Sequence, residues 1–268
     1  MSSFRMLAAA GAASLTVAAA QAADLGILPP PPVHEFSGWY LRGDIGMSSQ
    51  NVRKLHQRLE DVVTERFDYR MKEFDSAPFF GIGIGYQLNN WLRFDITTEY
   101  RGRANLHAVA FGDQGSIDSF HGSKAEFVTL TNMYADLGTW WYLTPFIGAG
   151  VGFTRNEIRD FYDTCSALAC SGQLVAVADG VGTKWDLAWA LYAGVGYKVT
   201  PGVTIELAYR YLNLGNGQSG WFHNVNPAFS TAPGPYQFRG IDSQDVKLGV
   251  RFMLGEPAAP PPLLIRKG

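Results

Sequence analysis

The stretch FFGIGIGYQLNNWLRFDITTEYR, residues 79–101, alternates between two kinds of side chain on either side of a short polar turn at Asn89 and Asn90. Successive side chains of a β-strand point to opposite faces, so each run divides into two phases. One phase holds glycine, polar and charged residues. The other phase is uncharged and consists of Phe80, Ile82, Ile84, Tyr86, Leu88, Leu92, Phe94, Ile96, Thr98 and Tyr100. The pattern predicts a β-hairpin with one wholly uncharged face.

The same alternation recurs along the chain and predicts eight strands. They cover residues 38–48, 79–88, 91–101, 126–137, 143–154, 185–198, 203–212 and 244–254. The short connections are Asn89–Asn90, Gly138–Tyr142 and Val199–Gly202, and the long connections are residues 49–76, 102–125, 155–184 and 213–243. An even number of strands joined alternately by short turns and long loops is typical of outer-membrane barrels. The predicted fold is an all-β, eight-stranded antiparallel up-and-down transmembrane β-barrel over residues 38–254, with four long extracellular loops.

All charges of the predicted strands fall in one phase. They are Arg42, Asp44, Arg93, Asp95, Glu99, Arg101, Asp136, Asp186, Lys198, Glu206, Arg210, Asp245, Lys247 and Arg251. A Lys or Arg side chain facing lipid costs about 2 to 4 kcal/mol at mid-bilayer, and the seven basic residues together would exceed the roughly 5 to 15 kcal/mol that stabilises a domain. The charged phase is therefore predicted to face inward, as a network of paired charges that plugs the barrel.

The alternative is a water-soluble eight-stranded barrel of the lipocalin type, with its apolar face around a ligand. That arrangement would place the charged phase outside, and the opposite arrangement in water would expose isoleucine, leucine, phenylalanine and tryptophan all round. Aromatic residues also collect at both ends of the predicted strands, as in the girdles of membrane barrels. We therefore favour the membrane-spanning form.

The N-terminal segment Met1–Ala22 predicts a secretory signal peptide, with Arg5, an apolar run and the small residues Ala20 and Ala22 around Gln21. A short membrane anchor is the alternative, but the run is shorter than the ~20 apolar residues of a spanning helix. The formal net charge of -2 argues against a nucleic-acid partner. Export and strand pattern together predict the outer membrane of a Gram-negative bacterium.

Proline-rich segments flank the predicted barrel. Residues 23–37 contain Pro29–Pro32 and predict an extended periplasmic tether, and residues 255–268 predict a second proline-rich tail. Both termini are then periplasmic. The tails are either plain extended chain or a contact with the cell wall, and the residues after Leu254 are too few for a folded wall-binding domain.

The two cysteines, Cys165 and Cys170, lie close together in a polar segment. An exported chain with an even cysteine count favours a disulfide between them, and two free thiols are the alternative. In the chain-entropy model so small a loop gains only roughly 2 kcal/mol. The disulfide would hold a loop tip and not the fold.

Few residues offer chemistry. The glycines at positions 81, 83 and 85 and at 148, 150 and 152 keep the strand period, so we interpret them as small inward residues and not as nucleotide-binding loops. His121 and Ser123 stand two apart, as in barrel enzymes that act on lipid, but no acidic residue beside them would orient the base. No metal-ligand spacing occurs. We expect no catalytic residue, no metal and no cofactor.

Two patterns lie in the predicted loops. Val52, Leu55, Leu59, Val62 and Val63 follow helical spacing and suggest a short surface helix. In the last loop, Trp221, Phe222, Tyr236 and Phe238 either form an apolar contact surface or pack against neighbouring loops, and we favour packing.

Three motifs give a family resemblance: GWYLRGDIG at residues 38–46, TPFIGAGVG at 144–152 and AYRYLNLG at 208–215. In this order and spacing the chain resembles alphaproteobacterial outer-membrane surface proteins of the opacity-protein, porin-like surface-antigen family. The resemblance covers roughly residues 38–254 and implies an eight-stranded OmpA-type barrel. Barrels of this kind usually end on an aromatic residue that assists assembly, whereas Phe252 here is followed by sixteen more residues.

The resemblance and the residue pattern lead to one preferred function and two alternatives. The preferred function is a structural barrel that presents surface loops for envelope integrity, as a surface antigen or for adhesion. A small-solute porin is the first alternative, and a lipid-modifying barrel enzyme is the second. The expected partners are outer-membrane lipid and lipopolysaccharide, a host or cell-surface ligand at the loops, and the cell wall at the tails.

Overall fold

The computed structural model describes residues 37–57, 67–113, 115–166, 172–225 and 234–255. Their secondary structure is entirely β. The strands are β1 (Gly38–His56), β2 (Phe67–Gln87), β3 (Leu92–Gly112), β4 (Ile117–Asp136), β5 (Leu143–Cys165), β6 (Gln173–Asp179), β7 (Gly182–Thr200), β8 (Val203–Asn213), β9 (Gly217–Gln218), β10 (Trp221–Asn224) and β11 (Gln237–Met253). No helix in these ranges is long and apolar enough to cross a bilayer.

Eight of the strands form a closed ring. Each strand pairs antiparallel with its neighbour in the order β1, β2, β3, β4, β5, β7, β8 and β11, and β11 pairs with β1 from Tyr40–Met253 to His56–Gln237. Closure leaves no unpaired edge in the ring, which a bilayer requires. The predicted eight-stranded antiparallel barrel is confirmed.

The two ends of the ring differ. Short turns join β2 to β3, β4 to β5 and β7 to β8 at one end, where β1 begins and β11 ends. We call this the turn end, and the opposite end the extended end. Next to the turn end, the outer wall carries exposed apolar side chains such as Ile82, 72% exposed, and Phe153, 61% exposed. This apolar belt is the part of the wall suited to lipid.

The extended end differs from the prediction, because the strands continue far into the segments expected to be loops. Residues 49–56 belong to β1, residues 102–112 to β3 and residues 155–165 to β5. The alternation continues beyond the belt with its chemistry reversed, so that Leu106 is buried and Asn105 is exposed. Outside the bilayer, water solvates the outer face and an apolar core fills the inside. The outward apolar residues that identify the strands within the belt are therefore replaced by polar residues beyond it, so the sequence pattern does not predict this part of the strands.

The predicted surface helix is wrong where the structure describes it. Val52 and Leu55 lie in β1 and are both buried inside the barrel, while Arg53 and Lys54 between them both face outward. Two successive outward residues place the buried positions three apart, which resembles helical spacing. Leu59, Val62 and Val63 lie outside the described residues.

An aromatic cap fills the extended end. It consists of Phe74, Phe120, Phe161, Phe222, Tyr236 and Phe238, all buried. The Phe161 ring centroid lies 5.2 to 5.9 Å from those of four others, Phe120, Phe222, Tyr236 and Phe238. Such distances are those of packed aromatic pairs. Packing is thus confirmed for the last-loop residues Phe222, Tyr236 and Phe238, whereas Trp221 is exposed.

The wall between β7 and β11 is completed by an inward segment. Strand β8 ends at Asn213, and residues 214–219 follow it with Leu214 and Ser219 fully or nearly buried. Asn156 on β5 donates hydrogen bonds to the carbonyl oxygens of Leu214 and Asn216, at 2.9 and 3.0 Å. Asp186 on β7 accepts from both nitrogens of Asn216, at 2.9 and 2.6 Å. These bonds hold the segment against the barrel.

Several predictions fall outside the described residues. They are the signal peptide Met1–Ala22, the tether up to residue 36, the tail from residue 256 and Cys170. Cys165 is buried at the end of β5. Its disulfide with Cys170 stays a prediction.

Candidate functional site: the charged barrel interior

The fourteen charged residues singled out from the sequence do not all share one environment. Twelve of them have side chains buried inside the barrel, and Arg93, Arg101, Arg210 and Asp245 have no exposed surface. Asp186 and Lys198 are only half-buried. Asp186 binds the inward segment at Asn216 and takes no part in the ion pairs described next.

Arg210 links opposite walls of the barrel. Its Nη1 and Nη2 donate to both carboxylate oxygens of Glu99 on β3, at 2.8 and 2.6 Å, and its Nε donates to Asp245 on β11 at 2.8 Å. Strands β3 and β8 face each other across the ring of eight. The bidentate geometry is the strongest form of a guanidinium–carboxylate pair. The pair therefore spans the lumen at this level.

Arg42 is a second centre of the network. It donates to Asp44 at 2.9 and 3.0 Å and to Asp95 at 2.7 Å, and its Nη2 lies 3.4 Å from Glu206. Asp44 is also 3.4 Å from Lys247, which contacts Glu99 at 3.1 Å. Lys247 thus joins the Arg42 centre to the Arg210 centre.

Arg93 is held by rings as well as by acids. Its Nε donates to Asp136 at 3.1 Å, while its Nη1 lies 3.2 Å from Glu206 without the alignment of a hydrogen bond. The guanidinium carbon sits 4.3 Å from the Tyr134 ring centroid and 4.7 Å from that of Phe146. Cation–π contact of this kind is strengthened by removal from water.

Sequence reasoning missed two members of the network, Lys124 and Glu126. Both are buried, Lys124 donates to Glu126 at 2.6 Å, and Glu126 accepts from Arg101 at 2.8 Å. Glu126 follows the inward phase of its predicted strand, so its position was readable. Lys124 lay in a predicted loop and became identifiable only when β4 was seen to begin at Ile117.

The ion pairs form one continuous network of seven acids and seven bases, since each member contacts at least one other across 4.0 Å or less. A buried charge is tolerated only when it is paired and hydrogen-bonded. Glycines make room for it: a Cβ at Gly83 would approach Arg42 Cγ to 3.1 Å and the Ile96 carbonyl oxygen to 2.8 Å. The arrangement can fill space and neutralise charge, but it offers no free ionised group for chemistry.

The aromatic cap lies above this network toward the extended end. Phe74 connects the two, because its ring centroid is 6.4 Å from that of Phe238 in the cap and 5.6 Å from Lys124 Nζ in the network. The interior therefore contains two consecutive groups of buried side chains, one charged and one apolar. The sequence pattern predicts only the charged group.

The predicted His121 and Ser123 do not form a catalytic pair within the described residues. Ser123 Oγ is buried without a hydrogen-bond partner, and the His121 ring stacks on Tyr162 with centroids 4.9 Å apart. A serine nucleophile needs a base within hydrogen-bond reach. No three His, Cys, Asp or Glu side chains of the described chain are placed to hold a metal ion.

A closed ring of eight antiparallel strands with an apolar belt outside and charges inside defines a transmembrane β-barrel. The chain matches the family model for the outer membrane protein beta-barrel domain over residues 9–252, and it belongs to that family. The predicted resemblance to outer-membrane surface barrels is thereby confirmed.

Two proteins of similar sequence support the assignment of this chain to the family. An uncharacterized protein of Brucella abortus is 33% identical over 229 residues, covering 76% of this chain and 79% of its own length. A protein of Rickettsia prowazekii that carries the provisional name adhesin is 26% identical over 219 residues, covering 80% of this chain and 86% of its own length.

Two solved structures align with most of this chain. Neisserial surface protein A aligns with 82% of this chain and 99% of its own, at 16% identity and a TM-score of 0.44. Ail, the attachment invasion locus protein of Yersinia pestis, solved with the heparin analogue sucrose octasulfate, aligns with 80% of this chain and 99% of its own, at 12% identity and a TM-score of 0.35.

Proposed function

We propose that this protein is a closed structural barrel of the outer membrane that presents its extended end as a cell-surface interaction site. In this proposal the turn end and both termini are periplasmic, and the extended end stands outside the cell. The barrel serves envelope integrity and contact with a host or cell-surface ligand. It has no enzymatic role.

The side chains that meet across the lumen are the observation that carries the proposal. Arg210 and Glu99 join opposite walls, and the aromatic cap packs above them. Eight strands leave a lumen that side chains can just fill. An ion crossing it would have to break buried ion pairs that cost several kcal/mol each to separate. The small-solute porin is therefore the weaker alternative.

Adhesion is favoured by shape and by relatives. Strand β1 runs for 19 residues and β3 for 21, about twice the ~10 residues that span an outer membrane. The additional length raises a rigid, water-solvated wall above the belt. Relatives in Rickettsia carry the provisional name adhesin, which is consistent with a wall used for contact.

Planar-bilayer recordings test closure. The purified full chain should give no current steps above those of protein-free lipid, because the network and the cap block the same path. A variant with Glu99→Ala and Arg210→Ala, which removes the central cross-lumen pair, should remain closed as long as the cap is intact. Sustained steps from the unmodified chain would contradict closure and favour the porin.

A cell-attachment assay tests the surface role. Bacteria that display the barrel should adhere to host cells more than the same strain lacking it, whereas a display control with an unrelated barrel should not. Equal attachment of all three strains would contradict adhesion and leave envelope integrity, measured as detergent resistance, as the function.

A further inference from the structure

The outer wall of the extended end has a polar pocket that the charged interior does not explain. Its volume is about 350 Å³, and it opens sideways on β3, β4 and β5. The lining residues are Arg103, Asn105, Leu106, His107, His121, Gly122, Ser123, Asp160 and Tyr162. Every polar residue in this lining is outside the ion network.

Local backbone irregularities shape the pocket. The β3–β4 pairing shifts register between Arg101 and Ala104, and the β4–β5 pairing shifts between His121 and Ser123. Asp160, on the other side of the second shift, has a φ of 52°. A non-glycine residue in the left-handed region costs energy and is concentrated at functional sites. Three irregularities around one pocket indicate that the backbone is specifically shaped to form it.

Several polar groups in the pocket are available to a ligand. Ser123 is 8% exposed, and its Oγ has no hydrogen-bond partner among the described residues. Arg103 is exposed and lies near enough to Glu157 to help lower the pKa of that carboxyl, but no hydrogen bond or salt bridge links it to another described residue. A buried hydroxyl without a partner costs free energy, and a bound ligand would supply the missing bond.

Other groups in the pocket are already ordered. Asp75 contacts His107 Nε2 at 3.4 Å and accepts from Asn105 Nδ2 at 3.1 Å. The His121 and Tyr162 rings stack at 4.9 Å. Aromatic platforms combined with amide, hydroxyl and carboxylate groups suit a sugar, and an exposed arginine suits a phosphate.

The height of the pocket selects its ligand. The belt ends on these strands at Tyr100, Phe127 and Phe153, all exposed. Arg103 and His107 follow Tyr100 by three and seven residues, which at ~3.3 Å per residue and a tilt of about 45° places them roughly 7 to 16 Å above the belt. The headgroup layer is about 5 to 8 Å deep on each side of the hydrocarbon core, so Arg103 lies at its level and His107 lies above it. The lining residues Arg103, Asn105 and His107 are exposed on the outer face of β3.

We propose that this pocket binds a phosphorylated sugar headgroup of the lipid in the surrounding leaflet. Arg103 contacts the phosphate, the stacked His121 and Tyr162 rings face the sugar ring, and Ser123 and Asp160 bond its hydroxyl groups. The inference rests on the proposed function, because such glycolipid lies beside the extended end only if that end is outside.

Native mass spectrometry of the full chain in detergent, with purified lipid A as the probe, tests the site independently of orientation. Arg103→Gln should weaken lipid A binding about tenfold, the loss of one charge-assisted hydrogen bond, and Ser123→Ala about threefold. Arg239→Gln is the matched control, since Arg239 is an exposed arginine of the extended end on the distant strand β11. Heat-modifiable gel mobility establishes that each variant is folded.

Four outcomes would overturn the proposal. They are equal weakening in Arg239→Gln, equal binding of dephosphorylated lipid A, displacement of lipid A by soluble glucosamine phosphate at equal concentration, and tighter capture of a sulfated glycan than of lipid A. Lipid A binding with the expected variant pattern, but with the extended end inaccessible on intact cells, would refute the proposed orientation and leave the pocket standing. If any of the four outcomes occurs while the extended end is accessible on intact cells, the pocket proposal is refuted and the proposed orientation stands.

Discussion

Each charged residue of the network in this barrel interior pairs with one or more oppositely charged residues, and many of these partners are shared. Arg101 donates to Glu126 at 2.8 Å and to both oxygens of Asp245 at 2.8 and 2.9 Å. Its side chain has no exposed surface. Removing one partner from such a group leaves uncompensated buried charges, which costs far more than the pair contributes.

Arg101→Leu is therefore expected to destabilise the barrel by roughly 3 to 5 kcal/mol, because Glu126 and Asp245 would lose their shared cation. Urea unfolding in detergent, followed by gel mobility, measures the change. Arg53→Leu is the control: Arg53 pairs with Asp242 at 3.0 Å but its side chain is 63% exposed. It should change stability little, since water screens the pair. Equal losses would show that burial does not set the cost.

Glycines at the inner wall provide a second residue-scale prediction. A Cβ at Gly152 would collide with the Thr129 carbonyl oxygen and approach Leu130 Cα to 2.9 Å, both backbone atoms that cannot move aside. Gly152→Ala should therefore cost about 1 to 3 kcal/mol in the same unfolding assay. Gly43 has nothing within 4 Å of its Cβ position, so Gly43→Ala should be neutral. A neutral Gly152→Ala would refute the close packing of β4 on β5.

At the scale of elements, the strands change character along their length. Within the belt, β5 buries polar residues such as Thr154 and exposes Phe153, whereas beyond it β5 buries Phe161 and exposes Asp160. One exception is Asp163, which lies inside the extended end and is 2% exposed. Burial, together with the negative charge of Asp118, raises the pKa of the Asp163 carboxyl from 3.8 to about 8.

This raised pKa predicts a pH dependence. Between pH 4 and pH 8 the folded chain keeps a proton on Asp163 that the unfolded chain has released, so stability falls as pH rises. Asp163→Asn should abolish this contribution, and its thermal midpoint relative to wild type should increase steadily across that interval. Asp68→Asn, at an exposed carboxylate of the same end, is the control. A constant difference between Asp163→Asn and wild type would contradict the assignment.

At the scale of the whole barrel, the described residues form two parts: a charged interior enclosed by the apolar belt, and beyond it a water-solvated wall around the aromatic cap. Both ends of the chain's barrel segment lie at the turn end, because β1 begins and β11 ends there. The proposed orientation therefore makes a topological prediction about which end reaches the medium.

Cysteine labelling measures this orientation. On intact cells a membrane-impermeant maleimide should label Arg70→Cys, whose native side chain at the extended end is 66% exposed. It should label Asn90→Cys, in the turn between β2 and β3, only after the outer membrane is permeabilised. The unsubstituted chain reports the background from Cys165 and Cys170. The opposite labelling pattern would invert the barrel.

The sequence by itself determined the ring and its inside. Period-2 alternation such as that of residues 79–101 assigns faces locally, and the cost of charge in lipid decides which face points inward. Eight strands, their short turns and twelve of the fourteen interior charges with buried side chains followed from those two facts. Glu126 lies in the same inward phase of its strand, so its burial follows from the same pattern although it is missing from the predicted set.

Only the tertiary structure decided what lies beyond the belt. The same alternation continues there, but water replaces lipid outside, so apolar residues move inward and the chemical contrast that identified the strands reverses. The spacing of Val52 and Leu55 then resembles that of a helix, and the sequence pattern assigns Lys124 to a loop, although both segments are strands. The aromatic cap and the polar pocket lined by Arg103 both bring together residues that are far apart in the chain. The contacts between these residues depend on strand register, which the local sequence pattern does not specify.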